Sequence, residues 1–356
     1  MKFLVIGLGS MGKRRIRNLR ELGYFDIAGI DPRSDRRDDV SDQYGIKVFT
    51  DLNLALQDFN PDVFIICTPP DLHMDYAYFG VKRKIHVFLE ASVVEPERVK
   101  QLIPLMNSSK VIVAPSCTMR YFPGPIKIKQ LIQDGVIGRI HLVNYHVGQN
   151  LIDWHPWEDI QDYYVSKNLT GGAREIVPFE LTWLNDIFGT PVPKLAWKAK
   201  LSDIPAPIDD TYFFLLRYDH EAMVNVTVEV IARPNAVRKM VIVGEDGLIE
   251  YDTQDNTVKY ISMGLANWIE YKLATPDSYE NYINPEAPYV LELRDFIAAV
   301  NEKDPDLYPN SLLHDYNVLL TLAEIEKISK IDTKRGVRFF RLILAKFASN
   351  FPRLRH

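Results

Sequence analysis

Three glycines, spaced Gly7-x-Gly9-x-x-Gly12, stand between an apolar run, Phe3 to Ile6, and a stretch where Ile16, Leu19 and Leu22 recur at near-helical spacing. Strand, glycine turn and helix in that order make a cradle for a pyrophosphate. Gly7 permits the tight turn, Gly9 lets the backbone approach the phosphates, and Gly12 lets the helix pack close on the strand. Ser10 and Met11 open the helix, whose unpaired N–H groups and partial positive charge face an anion. Phe25 to Ile30 reads as the next strand, and Asp31 at its end is placed to hold a ribose 2′-hydroxyl. The ligand implied is a dinucleotide. Asp31 would repel a 2′-phosphate, which favours NAD; Arg33, Arg36 and Arg37 follow closely and could receive one, so NADP stays open.

A second group of residues has the types needed for proton transfer and sugar binding. The run Arg174-Glu175-Ile176-Val177-Pro178-Phe179-Glu180 puts Glu175 and Glu180 near one helix start. Glu175 reads as an acid complementing the helix N-terminus, as a catalytic base, or, with Arg174, as a pair orienting a polar substrate. His155, between Trp154 and Pro156, reads as a general acid or base, or as a partly buried histidine in an aromatic loop. In that loop Trp154, Trp157, Tyr163 and Tyr164 supply ring faces, while Asp153, His155, Glu158 and Asp159 supply hydrogen-bonding groups. The mixture suits a sugar ring; an ordinary crossover between domains is the other reading. Arg120 could hold a carboxylate or phosphate bidentately, or join two domains through a salt bridge.

The elements that must position these groups alternate between strand and helix in the first third of the chain. A polar connection follows Asp31, then a helix over Asp51 to Phe59 and a fully apolar strand over Val63 to Cys67. Asp75 to Lys82 reads as helix, His86 to Leu89 as strand, Pro96 to Met106 as helix and Val111 to Ala114 as strand. Such alternation implies a parallel, doubly wound sheet, whose ligand crevice lies at the strand carboxyl ends. Thr68, Pro69, His73 and Glu90 fall in those end loops and should lie near the nicotinamide half of a cofactor. Beyond Arg120 the pattern changes. Ile126 to Asp134 reads as helix, and Ile140 to Gly148 alternates as a strand with one wet face. Strand-like runs at 194–200, 211–218, 222–231, 239–243 and 247–251 suggest a largely antiparallel sheet, flanked by helices near 179–188, 289–300 and 313–328.

Taken whole, the chain has 356 residues, 47% hydrophobic and 25% charged, as expected of a globular protein of two domains. Met1 leads directly into a core strand, so no signal peptide is expected. Cys67 and Cys117 read as buried thiols of a reducing, cytoplasmic setting, and no His or Cys spacing suits a metal. Lys334 to His356 carries seven Lys or Arg and no acid, leaving about −12 of the net −5 on the remainder. Nucleic acid is an unexpected partner for so acidic a body. The basic tail mixes Phe339, Phe340, Leu342, Ile343, Leu344 and Phe347 with Arg338, Arg341 and Lys346. It reads as an interfacial helix drawn to anionic lipid or an acidic protein, or as a helix docked on its own domain or in an oligomer.

These residues together resemble the Gfo/Idh/MocA family, named for glucose-fructose oxidoreductase and inositol dehydrogenase. The likeness rests on Gly7 to Gly12, Thr68-Pro69 with His73, the Glu90 loop, Met119-Arg120-Tyr121-Phe122-Pro123, and Gly171-Gly172-Ala173 opening a helix that ends at Phe188-Gly189. It implies an α/β protein: a Rossmann domain with a doubly wound parallel sheet over 1–120, and an α/β domain with an open, largely antiparallel sheet over 121–333, then the tail over 334–356. It also implies substrate contacts and a homo-oligomer interface on the second sheet. Asp153-Trp154-His155-Pro156-Trp157-Glu158-Asp159 resembles a branch found among surface-sugar and nonulosonic-acid genes, which implies an activated or acidic sugar as substrate. Two departures stand out. The family's Glu-Lys-Pro loop is here Glu90-Ala91-Ser92, and the helix places that usually hold aspartate, histidine and aspartate hold Ile176, Phe179 and Thr182. Alanine, isoleucine and phenylalanine cannot take a hydroxyl proton. The expectation is therefore an NAD(P)-dependent oxidoreductase of a sugar or sugar-derived acid with relocated acid–base groups. Two alternatives stay open: a cofactor-binding scaffold or sensor, and a non-redox net reaction with recycled NAD.

Overall fold

Apolar four-residue runs lie at the centre of the first sheet, where both faces are covered. The computed structural model describes residues 1–91, 93–154, 159–162, 164–274, 279, 282 and 284–349, with side chains to residue 330. Strands β1 (Phe3–Ile6), β2 (Ile27–Ile30), β3 (Lys47–Phe49), β4 (Val63–Ile66), β5 (His86–Leu89) and β6 (Val113–Pro115) pair in parallel, in the order β3-β2-β1-β4-β5-β6. Every residue of β1 and β4 is buried, as a strand covered on both faces must be. Helices α1 (Ser10–Glu21), α2 (Ser34–Tyr44), α3 (Leu52–Asp58), α4 (Pro70–Lys82) and α5 (Pro96–Ser109) make the crossovers. The order reverses between β1 and β4, so a crevice opens at their carboxyl ends.

After α6 (Pro123–Gln133), strand β7 (Ile140–Gly148) begins a second sheet. Helix α7 (Ala173–Phe188) follows, then β8 (Val192–Ala199), β9 (Thr211–Arg217), β10 (Met223–Glu229), β11 (Val237–Gly244), β12 (Gly247–Asp252), β13 (Thr257–Ser262) and β14 (Ile269–Lys272). The eight strands lie in the order β14-β13-β12-β11-β7-β10-β9-β8. Pairing is antiparallel except between β7 and β10. Alternation along β7 sends Val143, Tyr145 and Val147 inward against α6 and α7, where Leu131, Val177 and Leu181 complete a core. The other face exposes Leu142, Leu195, Trp197, Phe213 and Val241.

The chain then returns to the first sheet. Helix α8 (Ala287–Glu302) packs Leu293, Phe296 and Ile297 with Phe3, Ile16 and Phe88. Helix α9 (Leu312–Ser349) places Leu312 and Leu319 in the first layer and Val318, Leu322 and Ile325 in the second. Its backbone continues into the basic tail as far as Ser349.

Five elements differ from the sequence reading. The polar connection after Asp31 contains α2 and β3: α2 buries only Val40 and Tyr44, and β3 is a three-residue edge strand, so neither shows an apolar period. Helix α4 starts at Pro70, where the missing proline N–H costs nothing, rather than at Asp75. Strands β13 and β14 escape notice because β14, at the sheet edge, buries none of its residues and β13 beside it buries only Thr257 and Val258, so neither shows an apolar alternation.

Candidate active site

The glycine turn shows which glycines the fold itself requires. Gly7 has φ +92°, and a Cβ on it would lie 2.6 Å from the Cys67 carbonyl oxygen at the end of β4. A Cβ on Gly12 would lie 2.0 Å from the Gly7 oxygen. Around Gly9 the nearest atom is the Arg36 guanidinium at 3.5 Å, so that side of the turn is open. Gly9 precedes α1 and leaves its first turn without a side-chain cap; Gly9, Ser10 and Met11 border a cavity of about 1590 Å³. Backbone donors left without a side-chain cap at a helix start suit a pyrophosphate.

Asp31 is buried beneath this turn. Its Oδ2 accepts from the Leu8 amide at 2.8 Å and its Oδ1 from the Arg33 amide at 2.9 Å. The carboxylate thereby braces the turn instead of bordering the cavity. The neighbouring arginines are engaged: Arg33 with Asp35 at 2.6 Å, Arg36 with Asp31 at 3.7 Å, and Arg37 with the Asp31 and Pro32 carbonyls.

Beyond the turn the cavity runs past Cys67, Thr68, Pro69, His73, Glu90 and Ala91. His73 is buried, which pushes its pKa down to about 4, so the ring is neutral. Its Nε2–H donates to the Thr68 carbonyl at 2.6 Å and shapes the loop. Glu90 Oε1 accepts from Arg15 Nε at 2.5 Å, and the other end of that buried guanidinium donates to Glu292 at 2.8 Å. Phe88 underlies the guanidinium, 4.5 Å from its carbon to the ring centre. Glu292 in turn accepts from Ser116, Cys117 and Thr118, tying α8 to the end of β6.

The opposite wall comes from the second layer: Trp154, Tyr164, Glu175, Ile176, Phe179, Glu180 and Arg238. Tyr164 donates its hydroxyl hydrogen to Glu175 Oε1 at 2.6 Å, while Oε2 has no partner among the described residues. Burial pushes the Glu175 pKa up to about 8, against the lowering effect of Tyr164, so the carboxyl is mostly protonated near neutrality. Glu180 Oε2 accepts from Tyr145, Trp183 and Arg238 at 2.6, 2.7 and 2.7 Å. Its Oε1 also lacks a described partner, as do Thr68 Oγ1, His73 Nδ1 and Trp154 Nε1. Native structures leave few buried polar atoms unpaired. Six of the nine such atoms among the described residues belong to residues that border this cavity, Arg17 included.

The fold therefore joins Gly9, Ser10, Met11, Arg33, Thr68, Pro69, His73, Glu90, Trp154, Tyr164, Glu175 and Glu180 in one space. Two arginines are placed elsewhere. Arg120 donates to the Thr182 carbonyl at 3.1 Å and to the Pro309 carbonyl, and faces Asp186 at 3.6 Å. It joins the two layers and does not border this cavity. Arg174 pairs with Glu326 of α9 at 2.7 Å and likewise lies away from the cavity. His155, Trp157 and Tyr163 lie outside the described residues. Arg15, Glu229 and Arg238 were missed by sequence reasoning. For Arg238 a signal existed: it shares the inward face of β11 with Met240 and Ile242, where a cation is out of place without a buried partner.

Two family models match the chain. One, described as an oxidoreductase family with an NAD-binding Rossmann fold, covers residues 1–116, and the other, the GFO/IDH/MocA C-terminal domain, covers 126–250. The chain belongs to the Gfo/Idh/MocA family. Its first layer is the NAD-binding Rossmann domain of that family, and the residues around the glycine turn fit the cofactor. A myo-inositol 2-dehydrogenase of Thermotoga maritima is 27% identical over 146 residues, or 40% of this chain and 44% of that protein. The match thus spans less than half of that curated relative. An oxidoreductase of Agrobacterium radiobacter, solved with NAD+, L-tartaric acid and magnesium, has TM-score 0.80 at 13% identity, covering 93% of this chain and 96% of the other. The WlbA dehydrogenase of Bordetella pertussis, solved with NADH and UDP-GlcNAcA, has TM-score 0.74 at 19% identity, covering 93% and 97%. Both likenesses establish the fold. Within the family frame, Ala91, Ile176 and Phe179 border the cavity, and Thr182 is buried with its hydroxyl on the Phe179 carbonyl.

Proposed function

We propose that this protein is an NAD-dependent oxidoreductase of a hydroxyl-bearing sugar or sugar-derived acid, free or nucleotide-activated, in which Glu175 moves the proton. The observation that carries the reading is the Glu175 carboxyl itself: one oxygen held by Tyr164, the other unpartnered, beside Ile176 and Phe179 on the cavity wall. Bound NAD supplies the hydride acceptor at its nicotinamide ring. As the substrate alcohol gives up its hydride, Glu175 Oε2 takes the hydroxyl proton, and Tyr164 steadies the negative carboxylate. In the reverse direction the protonated Glu175 returns that proton to a carbonyl. Arg33, Arg36 and Arg37, already paired with Asp35, Asp31 and backbone carbonyls, support NAD over NADP.

The aromatic loop, which resembles that of surface-sugar and nonulosonic-acid members, supports a place in surface-polysaccharide or nonulosonic-acid metabolism. Two free cysteines support a cytoplasmic setting. The apolar residues on the open face of the second sheet, Trp197 and Phe213 with their tilted rings among them, support a homo-oligomer there. The test is a titration of NADH and NADPH followed by hydride transfer to 2- and 4-keto sugars, with Glu175→Gln beside the parent. Tight NADH binding with transfer lost in the variant is expected. Tight binding with no transfer in the parent would turn the reading to a scaffold or to a non-redox reaction with recycled cofactor.

A further inference from the structure

The second-layer end of the cavity is built around an ion pair between α7 and β11. Arg238 Nη1 donates to Glu180 Oε2 at 2.7 Å and to the Tyr145 hydroxyl oxygen at 2.6 Å. Tyr145 and Trp183 give their own hydrogens to the same Oε2, so one carboxylate oxygen takes three bonds and the other none. Glu180 is fully buried, and Arg238 keeps 20% of its side chain exposed toward the cavity. The described hydrogen bonds of that guanidinium all leave from Nη1. Nε and Nη2 thus have no described partner, and beside them lies Glu180 Oε1, a covered acceptor that also has none. A hydroxyl can donate to a carboxylate while its neighbour accepts from a guanidinium, which is the pattern offered by adjacent hydroxyls on a ring.

Charge narrows the ligand further. Among the described second-layer residues bordering the cavity, Arg238 stands against Asp162, Glu180 and Glu229, while Glu175 is mostly protonated near neutrality. The one guanidinium is already matched by Glu180, and the Glu90 carboxylate belongs to Arg15. A carboxylate or phosphate brought here would face acids with no spare cation and pay its desolvation unaided. We propose that Glu180 and Arg238 form a clamp for two adjacent hydroxyls, and that the ring held next to the nicotinamide is uncharged. Any acidic or nucleotide group of the substrate then lies outside this end. The inference rests on the oxidoreductase reading and chooses among the substrates that reading allows.

The experiment is calorimetry on the full-length protein saturated with NADH. The probes are D-glucose with D-glucuronate, D-galactose with D-galacturonate, and myo-inositol. At least one neutral probe is expected to bind, at least tenfold more tightly than its matched acid. Glu180→Gln and Arg238→Lys should each weaken that probe tenfold or more while leaving NADH affinity within twofold. Equal or tighter binding of a uronate overturns the clamp, as does unchanged neutral binding in both variants or no binding of any neutral probe. Parent protein that binds a neutral probe through these residues but transfers no hydride to NAD+ leaves the clamp standing and removes the oxidoreductase reading. The comparison of matched acids uses parent protein only and is decisive even where a variant fails to fold.

Discussion

Arg15, in the helix that follows the glycine turn, donates to Glu292 at 2.8 Å across 277 residues of sequence. Both side chains are fully buried, and Glu292 also receives Ser116, Thr118 and the Cys117 amide. Removing Glu292 would leave Arg15 with Glu90 alone and the Ser116, Thr118 and Cys117 donors buried without their acceptor. Glu292→Ala should therefore lower stability by about 3–5 kcal/mol, read by urea denaturation. A loss below about 1 kcal/mol, the scale of exposed pairs, would show that α8 is held by its apolar face alone.

The proton role of Glu175 has a signed pH signature. With a pKa near 8, sugar oxidation, which needs the carboxylate, should rise as pH passes through that value. Ketone reduction, which needs the acid, should fall over the same range. Glu175→Gln should cost on the order of 10²–10⁴ in kcat and flatten both limbs. Profiles that keep their inflection in the variant would assign the titration to another group.

Tyr164 favours the charged form of Glu175 by donating to it. In Tyr164→Phe the carboxylate loses that bond, so the inflection should move to higher pH and the oxidation rate at pH 7 should drop. An unmoved inflection would separate the two residues functionally.

The same carboxyl weakens the fold at alkaline pH. Its ordinary value is 4.5 and its folded value about 8, so between them the folded chain keeps a proton that the unfolded chain has released. Stability attributable to this group falls as pH rises through that window. Glu175→Gln should therefore melt higher than the parent at pH 8, with a smaller gap at pH 5. A constant gap would mean that the carboxyl titrates alike in both states.

Gly9 and Gly12 should respond differently to one added methyl group. Gly12→Ala sets a Cβ 2.0 Å from the Gly7 oxygen and should destabilise the whole first layer. Gly9→Ala meets nothing closer than 3.5 Å, so its melting temperature should stay near the parent's while NADH affinity falls at least tenfold. Calorimetric melting and NADH fluorescence distinguish the two.

What the sequence revealed, and what it hid, follows the same physics. The glycine turn, β1, β4 and the alternation of β7 were legible because burial on both faces or on one writes itself into local residue type. Glu175 was legible as a polar group at a helix start, but its environment was not: Tyr164, Ile176 and the cavity meet it only in three dimensions. Arg120 and Arg174 looked like substrate ligands because isolated arginines carry no mark of their partners. Asp186 and the Thr182 and Pro309 carbonyls claim one, and Glu326 the other. Arg238 hid in a strand whose neighbours read as ordinary alternation.

Helix α9 lies against both cores, with Leu319 on one side and Val318, Leu322 and Ile325 on the other. A shared rod of this kind removes the hinge that two separately folded layers would otherwise have. Swinging the layers apart would strip buried leucines from the rod at about 1.5–3 kcal/mol each. The cavity between them is thus set before any ligand arrives, and binding spends little on reorganisation. Ligand entry and departure fall to the loops at the rim, and heat should melt the two sheets in one transition.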